Sequence, residues 1–150
     1  MGLIYCDTPV GLMKIVDDGE YITQINVADV ENEKEAPSKL SDKARSELLE
    51  YFAEKRTEFD LPVKLCGTEF QKRVWQALMT VPFGETRTYG DIAAQIGNGK
   101  ASRAVGMACN RNNIMIIVPC HRIIGANGAL TGFGAGIEMK EWLLRHEKAL

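Results

Sequence analysis

The chain has 150 residues, enough for one compact domain or two small ones, and its 45% hydrophobic and 25% charged content is typical of a folded globular protein. No apolar run approaches the roughly 18 residues that span a bilayer, and residues 1–10 lack the basic start and apolar middle of a secretory signal. Four cysteines and two histidines without metal-ligand spacing predict neither a disulfide framework nor a zinc site. We therefore expect a cytoplasmic protein with reduced thiols, no metal and no membrane association.

The net charge of −2 combines two parts of opposite sign. Residues 1–63 carry 7 Lys and Arg against 14 Asp and Glu, whereas residues 64–150 carry 11 against 6. Because a sugar-phosphate backbone responds to local charge, the basic second part is compatible with DNA binding. Pro62 and Gly67 mark the join, and we predict two domains, at 1–63 and 64–150.

The first domain is predicted to be α/β. Three short β-prone runs, 3–6, 12–16 and 21–27, are separated by turn sequences with Pro, Asp and Gly, which predicts a small antiparallel sheet. Residues 29–39 are dense in Glu and Lys and predict a solvated loop. Ser41 is a candidate N-cap for a helix whose apolar residues recur with a helical period, so that one helix covers one face of the sheet.

The second domain is predicted to be mostly helical. Thr68 and Gln71 have the spacing of a capping box for a helix over 70–79. Two shorter predicted helices, 89–96 and 101–110, are joined by Gly-Asn-Gly-Lys. Their lengths and the glycine-containing turn are typical of a helix-turn-helix. Helix pairs of this kind are mostly structural, so the pattern alone does not establish DNA binding.

The second helix of this pair is unusually slim. Its small residues are Ala101, Ser102, Ala104, Gly106 and Ala108. A slim helix can approach the floor of a DNA groove, where Arg103 would reach phosphates or enter the base stack. Small residues also permit tight packing between helices, and composition alone favours neither interpretation.

The strongest chemical signal is the run Pro119-Cys120-His121-Arg122, which follows the apolar residues 114–118. A single cysteine in an apolar setting is usually a small buried hydrophobe, and we expect Cys6, Cys66 and Cys109 to be of that kind. Cys120 differs because burying His121 or Arg122 beside an apolar run is unfavourable unless each has a partner.

A thiol becomes a nucleophile when a base removes its proton, and the base works best when a third group orients it. His121 is the nearest candidate base for Cys120. Glu147, beside His146 on a predicted C-terminal helix, is a candidate orienting carboxylate. Spacing alone does not establish this long-range pairing.

Together these motifs resemble the O6-alkylguanine-DNA alkyltransferases, also called methylated-DNA–protein-cysteine methyltransferases. The resemblance runs from about Phe70 to Glu147. It rests on four ordered motifs: Gly-Glu-Thr-Arg-Thr-Tyr at 84–89, Ala-Ser-Arg-Ala-Val-Gly at 101–106, Val-Pro-Cys-His-Arg-Ile-Ile at 118–124 and Lys-Glu-Trp-Leu-Leu-Arg-His-Glu at 140–147. Residues 1–63 match only in size and pattern. The resemblance implies an N-terminal α/β domain and a mostly α C-terminal domain of winged helix-turn-helix type.

The resemblance also implies a reaction. A monomer would bind the minor groove of double-stranded DNA, flip out an O6-alkylguanine and take its alkyl group irreversibly onto Cys120, without a cofactor. His121 would act as base through a water, and Glu147 would orient it. Asn112 would brace the turn between the recognition helix and an active-site strand.

Further roles follow residue by residue. Tyr89 would crowd the target phosphate, help rotate the nucleotide and protonate the leaving guanine, while Arg103 would fill the vacated stack. The remaining implied DNA contacts are Lys100, Ser102 and Arg122, and the implied guanine and alkyl pocket is Phe133, Gly134, Met115, Val118 and Pro119, within or near the glycine-rich loop 125–136.

Some residues depart from the family pattern. Phe133 stands where many members have tyrosine, so a contact that needs a hydroxyl there is absent and we expect looser base recognition. Asn113 and Met115 occupy positions that are often proline, next to the alkyl pocket, so the range of alkyl groups differs from the family pattern, and methyl is the group we expect to be accepted. Three other functions would share some of these features: a non-catalytic relative that binds alkylated DNA, a Cys-His hydrolase, and a plain helix-turn-helix regulator. Cys120 argues against the first, the helix pair with Arg103 against the second, and the Pro-Cys-His-Arg run against the third.

Overall fold

The computed structural model describes residues 1–131, 133 and 135–150, and within them the chain forms two compact units. Unit 1 contains Met1–Leu65 and Asn113–Met115, and unit 2 contains Cys66–Asn112 and Ile116–Leu150. In the described part of the chain, no helix has the length and apolar character needed to cross a membrane.

Unit 1 is built on an antiparallel sheet. Its strands are β1 (Gly2–Thr8), β2 (Gly11–Asp17) and β3 (Ile22–Val27), in the order β1-β2-β3. The register pairs Gly2 with Asp17 across β1 and β2, and a shift in register follows Val16 between β2 and β3. The predicted small antiparallel sheet is confirmed.

One helix, α1 (Lys39–Phe52), packs against this sheet through its buried side chains Ala44, Leu48 and Tyr51. Its N-cap is Ser38 rather than the predicted Ser41. Ser41 is the third helical residue, and its side chain completes a capping box by accepting from the backbone N–H of Ser38. The prediction was one turn late because both serines belong to the same cap.

Unit 2 is mostly helical, as predicted. Its elements are α2 (Glu69–Leu78), β4 (Arg87–Thr88), α3 (Tyr89–Gln95), α4 (Ser102–Asn110), a single 3₁₀ turn (Cys120–Arg122), β5 (Ile123–Ile124) and α5 (Ile137–His146). The strands β4 and β5 are parallel neighbours, which brings the start of α3 close to the residues that follow the 3₁₀ turn.

Two capping boxes fix where α2 and α3 begin. Thr68 caps α2 with Gln71, as predicted from their spacing. Thr88 caps α3 in the same way with Asp91, so Tyr89 is the first residue of that helix. The helices α3 and α4 pack against each other.

The apolar residues 114–118 do not form a continuous strand. Ile114 makes an isolated bridge with Ile25, and the backbone of Met115 donates to Ile25 O at 2.9 Å. Ile116 then adopts a left-handed backbone with φ 73°, which ends the extended run. A β-branched residue rarely adopts this conformation, so the break was not visible in the sequence.

Candidate active site

A tight turn positions Cys120 at the start of the 3₁₀ helix. Pro119 has φ −84° and ψ 62°, and the Cys120 N–H donates to Val118 O at 2.9 Å, which is the geometry of an inverse γ-turn. The proline ring restricts φ to this region before folding. The sequence Val-Pro-Cys therefore fixes the backbone from which the thiol projects, and Cys120 is buried.

The Cys120 thiol contacts the side chain of Asn112. Asn112 Nδ2 lies 3.2 Å from Cys120 Sγ and donates to Val118 O at 2.8 Å. One amide group thus donates hydrogen bonds both to the γ-turn carbonyl and to the sulfur. This donor stabilises a thiolate more than a thiol, because its hydrogen bond to sulfur strengthens when sulfur is charged.

His121, Glu147 and Arg122 form a buried polar cluster beside Cys120. His121 Nε2 lies 2.7 Å from Glu147 Oε2, and both side chains have no exposed surface. Arg122 donates to both oxygens of Glu147, through Nε at 2.8 Å and Nη2 at 3.0 Å. Because the carboxylate accepts from Nε2, a neutral His121 carries its proton there and presents an unprotonated Nδ1.

The Nδ1 atom of His121 is buried and has no hydrogen-bond partner among the described residues. Buried polar atoms are nearly always paired, so an exception points to a catalytic role or to a water that completes the bond. The unprotonated Nδ1 is therefore an acceptor that the folded chain itself leaves available.

Burial and hydrogen bonding together set the pKa values of this cluster. It raises the pKa of the Cys120 thiol, and this effect is opposed by the hydrogen bond from Asn112 and the positive charge of Lys140. Burial lowers the pKa of His121, although its bond to Glu147 opposes the change. Burial alone would raise the pKa of Glu147, but hydrogen bonds from His121 and Arg122 hold it well below its usual range. The resting pair is thus a thiol beside a neutral imidazole, with Glu147 ionised.

The prediction that Arg122 contacts DNA does not agree with this geometry. Its side chain is buried, its Nη1 donates to Val81 O at 2.7 Å, and its other nitrogens are bound to Glu147. A guanidinium whose three nitrogens already donate to protein oxygens cannot present a pair of parallel N–H groups to a phosphate. Its position instead keeps Glu147 charged, because it compensates the carboxylate inside the fold.

Lys140 lies at the candidate site, although the sequence motifs assigned it no role. Its side chain is fully buried on α5, and its Nζ donates to Thr131 O at 2.8 Å and lies 3.4 Å from Tyr89 Oη. Burial lowers its pKa, while the nearby Cys109 and Cys120 oppose the change. The signal was present in the spacing, since positions 140, 143, 144 and 147 fall on one face of a helix.

Tyr89 is held by the same carbonyl. Its hydroxyl donates to Thr131 O at 2.5 Å, and Lys140 Nζ lies 5.6 Å from the centre of its ring. Burial raises the pKa of Tyr89, so the phenol keeps its proton near neutral pH. The hydroxyl is therefore a proton donor that would have to leave Thr131 before it could serve another acceptor.

A groove with a volume of about 550 Å³ lies beside α4, and we call it the α4 groove. It is lined by Tyr89, Thr131 and five residues of α4: Ser102, Arg103, Gly106, Met107 and Asn110. Arg103 and the predicted contact Lys100 are exposed, and Ser102 is half-buried. These three predicted DNA contacts therefore lie on or just before the same helix.

The predicted pocket residues are placed as follows. Val118, Pro119 and Phe133 are buried in unit 2, Met115 is buried in unit 1, and Gly134 lies outside the described residues.

The other cysteines divide by exposure. Cys6 and Cys109 are buried as expected, whereas Cys66 is exposed, contrary to the prediction. It lies just after the join between the units, where the chain does not form a helix or strand. Burial raises the pKa of Cys109 to about 12. Among the described residues, no group of three or more His, Cys, Asp or Glu side chains is arranged to hold a metal ion.

Two family profiles match the chain in succession. The DNA binding domain of 6-O-methylguanine DNA methyltransferase matches residues 69–149, and the ribonuclease-like domain of 6-O-methylguanine DNA methyltransferase matches residues 2–65.

Relatives with similar sequences and structures agree with these profiles. The methylated-DNA–protein-cysteine methyltransferase of Mycobacterium leprae is 47% identical over 97% of this chain and 93% of its own length. The crystal structure of the Mycobacterium tuberculosis O6-methylguanine methyltransferase has a TM-score of 0.89 at 45% identity, covering 98% of this chain and 92% of that one. The structure of the M. tuberculosis protein in complex with DNA has the same TM-score at 46% identity, covering 97% and 91%. This chain therefore belongs to the 6-O-methylguanine DNA methyltransferase family, which confirms the resemblance of its motifs.

Proposed function

We propose that this chain repairs DNA directly, by moving the alkyl group of O6-alkylguanine in double-stranded DNA onto Cys120 in a single turnover. One observation carries the proposal. The buried Cys120 is followed in the chain by a buried histidine, His121, whose Nε2 lies 2.7 Å from Glu147 Oε2 and whose Nδ1 has no hydrogen-bond partner among the described residues. The names of the relatives and the DNA-bound M. tuberculosis structure support the same reaction.

His121 activates the thiol through a bridging water. The Cys120 proton passes to the water, which gives a proton to His121 Nδ1, so a thiolate and an imidazolium form together. The imidazolium is stabilised by Glu147, whose oxygen is 2.7 Å from Nε2. Because burial raises the pKa of the thiol, this proton transfer is coupled to attack rather than complete beforehand.

The thiolate then displaces guanine from the alkyl carbon. A sulfur–carbon bond forms as the carbon–O6 bond breaks, and the electron pair of that bond goes to guanine. Tyr89 supplies the proton that lets guanine leave in its neutral form, after its hydroxyl exchanges Thr131 O for the base. The thioether product is stable, so each chain acts once and needs no cofactor.

DNA is bound by the helix pair α3 and α4, acting as a helix-turn-helix in the minor groove. The guanine must leave the base stack because the alkyl carbon attached to its O6 is out of reach of a buried thiol while the base is stacked. Arg103 fills the vacated space, Tyr89 crowds the target phosphate, and Lys100 and Ser102 contact the backbone. Arg122 has no DNA contact in this scheme.

The other parts of the proposal concern the whole chain. Residues 64–150 carry the DNA-binding and acceptor functions and residues 1–63 the α/β domain. The chain acts as a monomer in the cytoplasm, where its four free cysteines remain reduced. Phe133, Val118 and Pro119 line the guanine and alkyl pocket, and methyl is the preferred group.

Intact-mass measurement after mixing the protein with an O6-methylguanine duplex tests the proposal. We expect the addition of one methyl group per chain, mapped to Cys120, and no further addition with excess DNA. Cys120→Ala is expected to gain none, whereas the matched variant Cys66→Ala, which removes an exposed thiol, gains one. Repeated release of product, or methylation of a different residue, would contradict the assignment.

A further inference from the structure

We propose that Met107 is a DNA-contact residue of this chain, packing its side chain into the minor groove beside Arg103. The inference rests on the proposed function and adds an apolar contact to it. Met107 is 68% exposed, and among the large hydrophobic residues that the structure describes only the terminal Met1 is more exposed. Single exposed hydrophobic residues are ordinary on protein surfaces, so the argument depends on where this one lies.

Met107 lies on the face of α4 that lines the α4 groove. Positions 103, 106, 107 and 110 have the spacing of one helical face, and all four line that groove. The ring of Tyr89 lies over Gly106, because a Cβ placed on that glycine would be 3.7 Å from Tyr89 Cε1. Met107 therefore lines the same groove as Tyr89 and Arg103, the two residues to which base rotation and stack filling are assigned.

The charge of this face favours DNA as its occupant. The nine residues of α4 include Arg103 and no acidic residue, so a phosphate backbone can approach it without repulsion. Minor-groove proteins commonly combine arginine with an apolar side chain that packs against sugars or between base steps. Gly106 keeps the helix slim beside Met107, which lets the longer side chain reach the groove floor first.

Binding of a fluorescent duplex, measured by anisotropy at several salt concentrations, tests this contact. Met107→Ala is expected to weaken binding about tenfold, which corresponds to losing the burial of roughly two methylene groups. Its plot of log affinity against log salt keeps the wild-type slope, because no phosphate contact is lost. Lys100→Ala is expected to reduce that slope by about 1.

Two variants control for side-chain shape and for the loss of any exposed methionine. Met107→Leu restores an apolar side chain and is expected to bind like the wild type. Met79→Ala removes a 42% exposed methionine at the end of α2, away from the α4 groove, and is expected to change nothing.

Three results would overturn the contact: unchanged duplex binding in Met107→Ala, a changed salt slope, or a change in self-association that accounts for the weaker binding. The proposed function fails separately, if wild-type protein binds duplex DNA through Met107 and yet acquires no methyl group.

Discussion

Replacing Glu147 by glutamine should slow alkyl transfer far more than it unfolds the protein. The amide has the shape of the carboxylate but no charge, so the imidazolium formed during transfer loses the partner 2.7 Å from its Nε2. An opposite charge at such a distance shifts a pKa by about 1 to 3 units, and a mid-range shift of about 2 units corresponds to roughly a hundredfold in rate. The same change leaves Arg122 with a neutral partner, which destabilises the fold.

The transfer rate and the unfolding midpoint separate these two effects. Single-turnover quench experiments on an O6-methylguanine duplex should give about a hundredfold smaller rate constant for Glu147→Gln, at a temperature where both proteins are folded. Glu141→Gln is the matched control, since Glu141 lies on the same helix in an exposed pair with Arg145. That pair contributes about 0.3–0.5 kcal/mol at most, and transfer should be unaffected. A Glu147→Gln protein that is less stable but transfers within about threefold of the wild-type rate would refute the orienting role.

Three further outcomes are expected. Because burial lowers the pKa of folded His121, the unfolded chain binds the extra proton, so stability should fall as pH drops below about 6.5. Thermal unfolding should show this slope, and His121→Gln should reduce it; an unchanged slope would refute the assignment. Lys140→Met should slow transfer by about tenfold, because the positive charge that opposes the raised pKa of Cys120 is lost. The unfolding midpoint should not fall, because a buried cation is replaced by an apolar side chain of similar length. A lowered midpoint with normal transfer would make Lys140 structural. A thiol-alkylating reagent near pH 8, followed by peptide mapping, should label exposed Cys66 well before Cys109, whose pKa is raised to about 12; equal labelling would contradict its burial.

Local signals in the sequence were sufficient for the elements that depend on neighbouring residues. Thr68 with Gln71 predicted the start of α2, and the turn sequences predicted the three strands. The error at Ser41 was small because its side chain belongs to the cap that Ser38 begins. The left-handed backbone of Ile116 was invisible for the opposite reason, since nothing local to isoleucine favours it.

The sequence by itself determined that Cys120 and His121, the pair to which we assign the reaction, are adjacent and that Pro119 sets the turn before them. Only the tertiary structure decided which groups complete the cluster. Glu147 reaches His121 from 26 residues away and sits at the C-terminal end of α5, where a helix dipole disfavours a carboxylate. Adjacency to His121 did not reveal whether Arg122 faces DNA or the interior, since burial is settled by long-range packing; the fold turned it inward to neutralise Glu147.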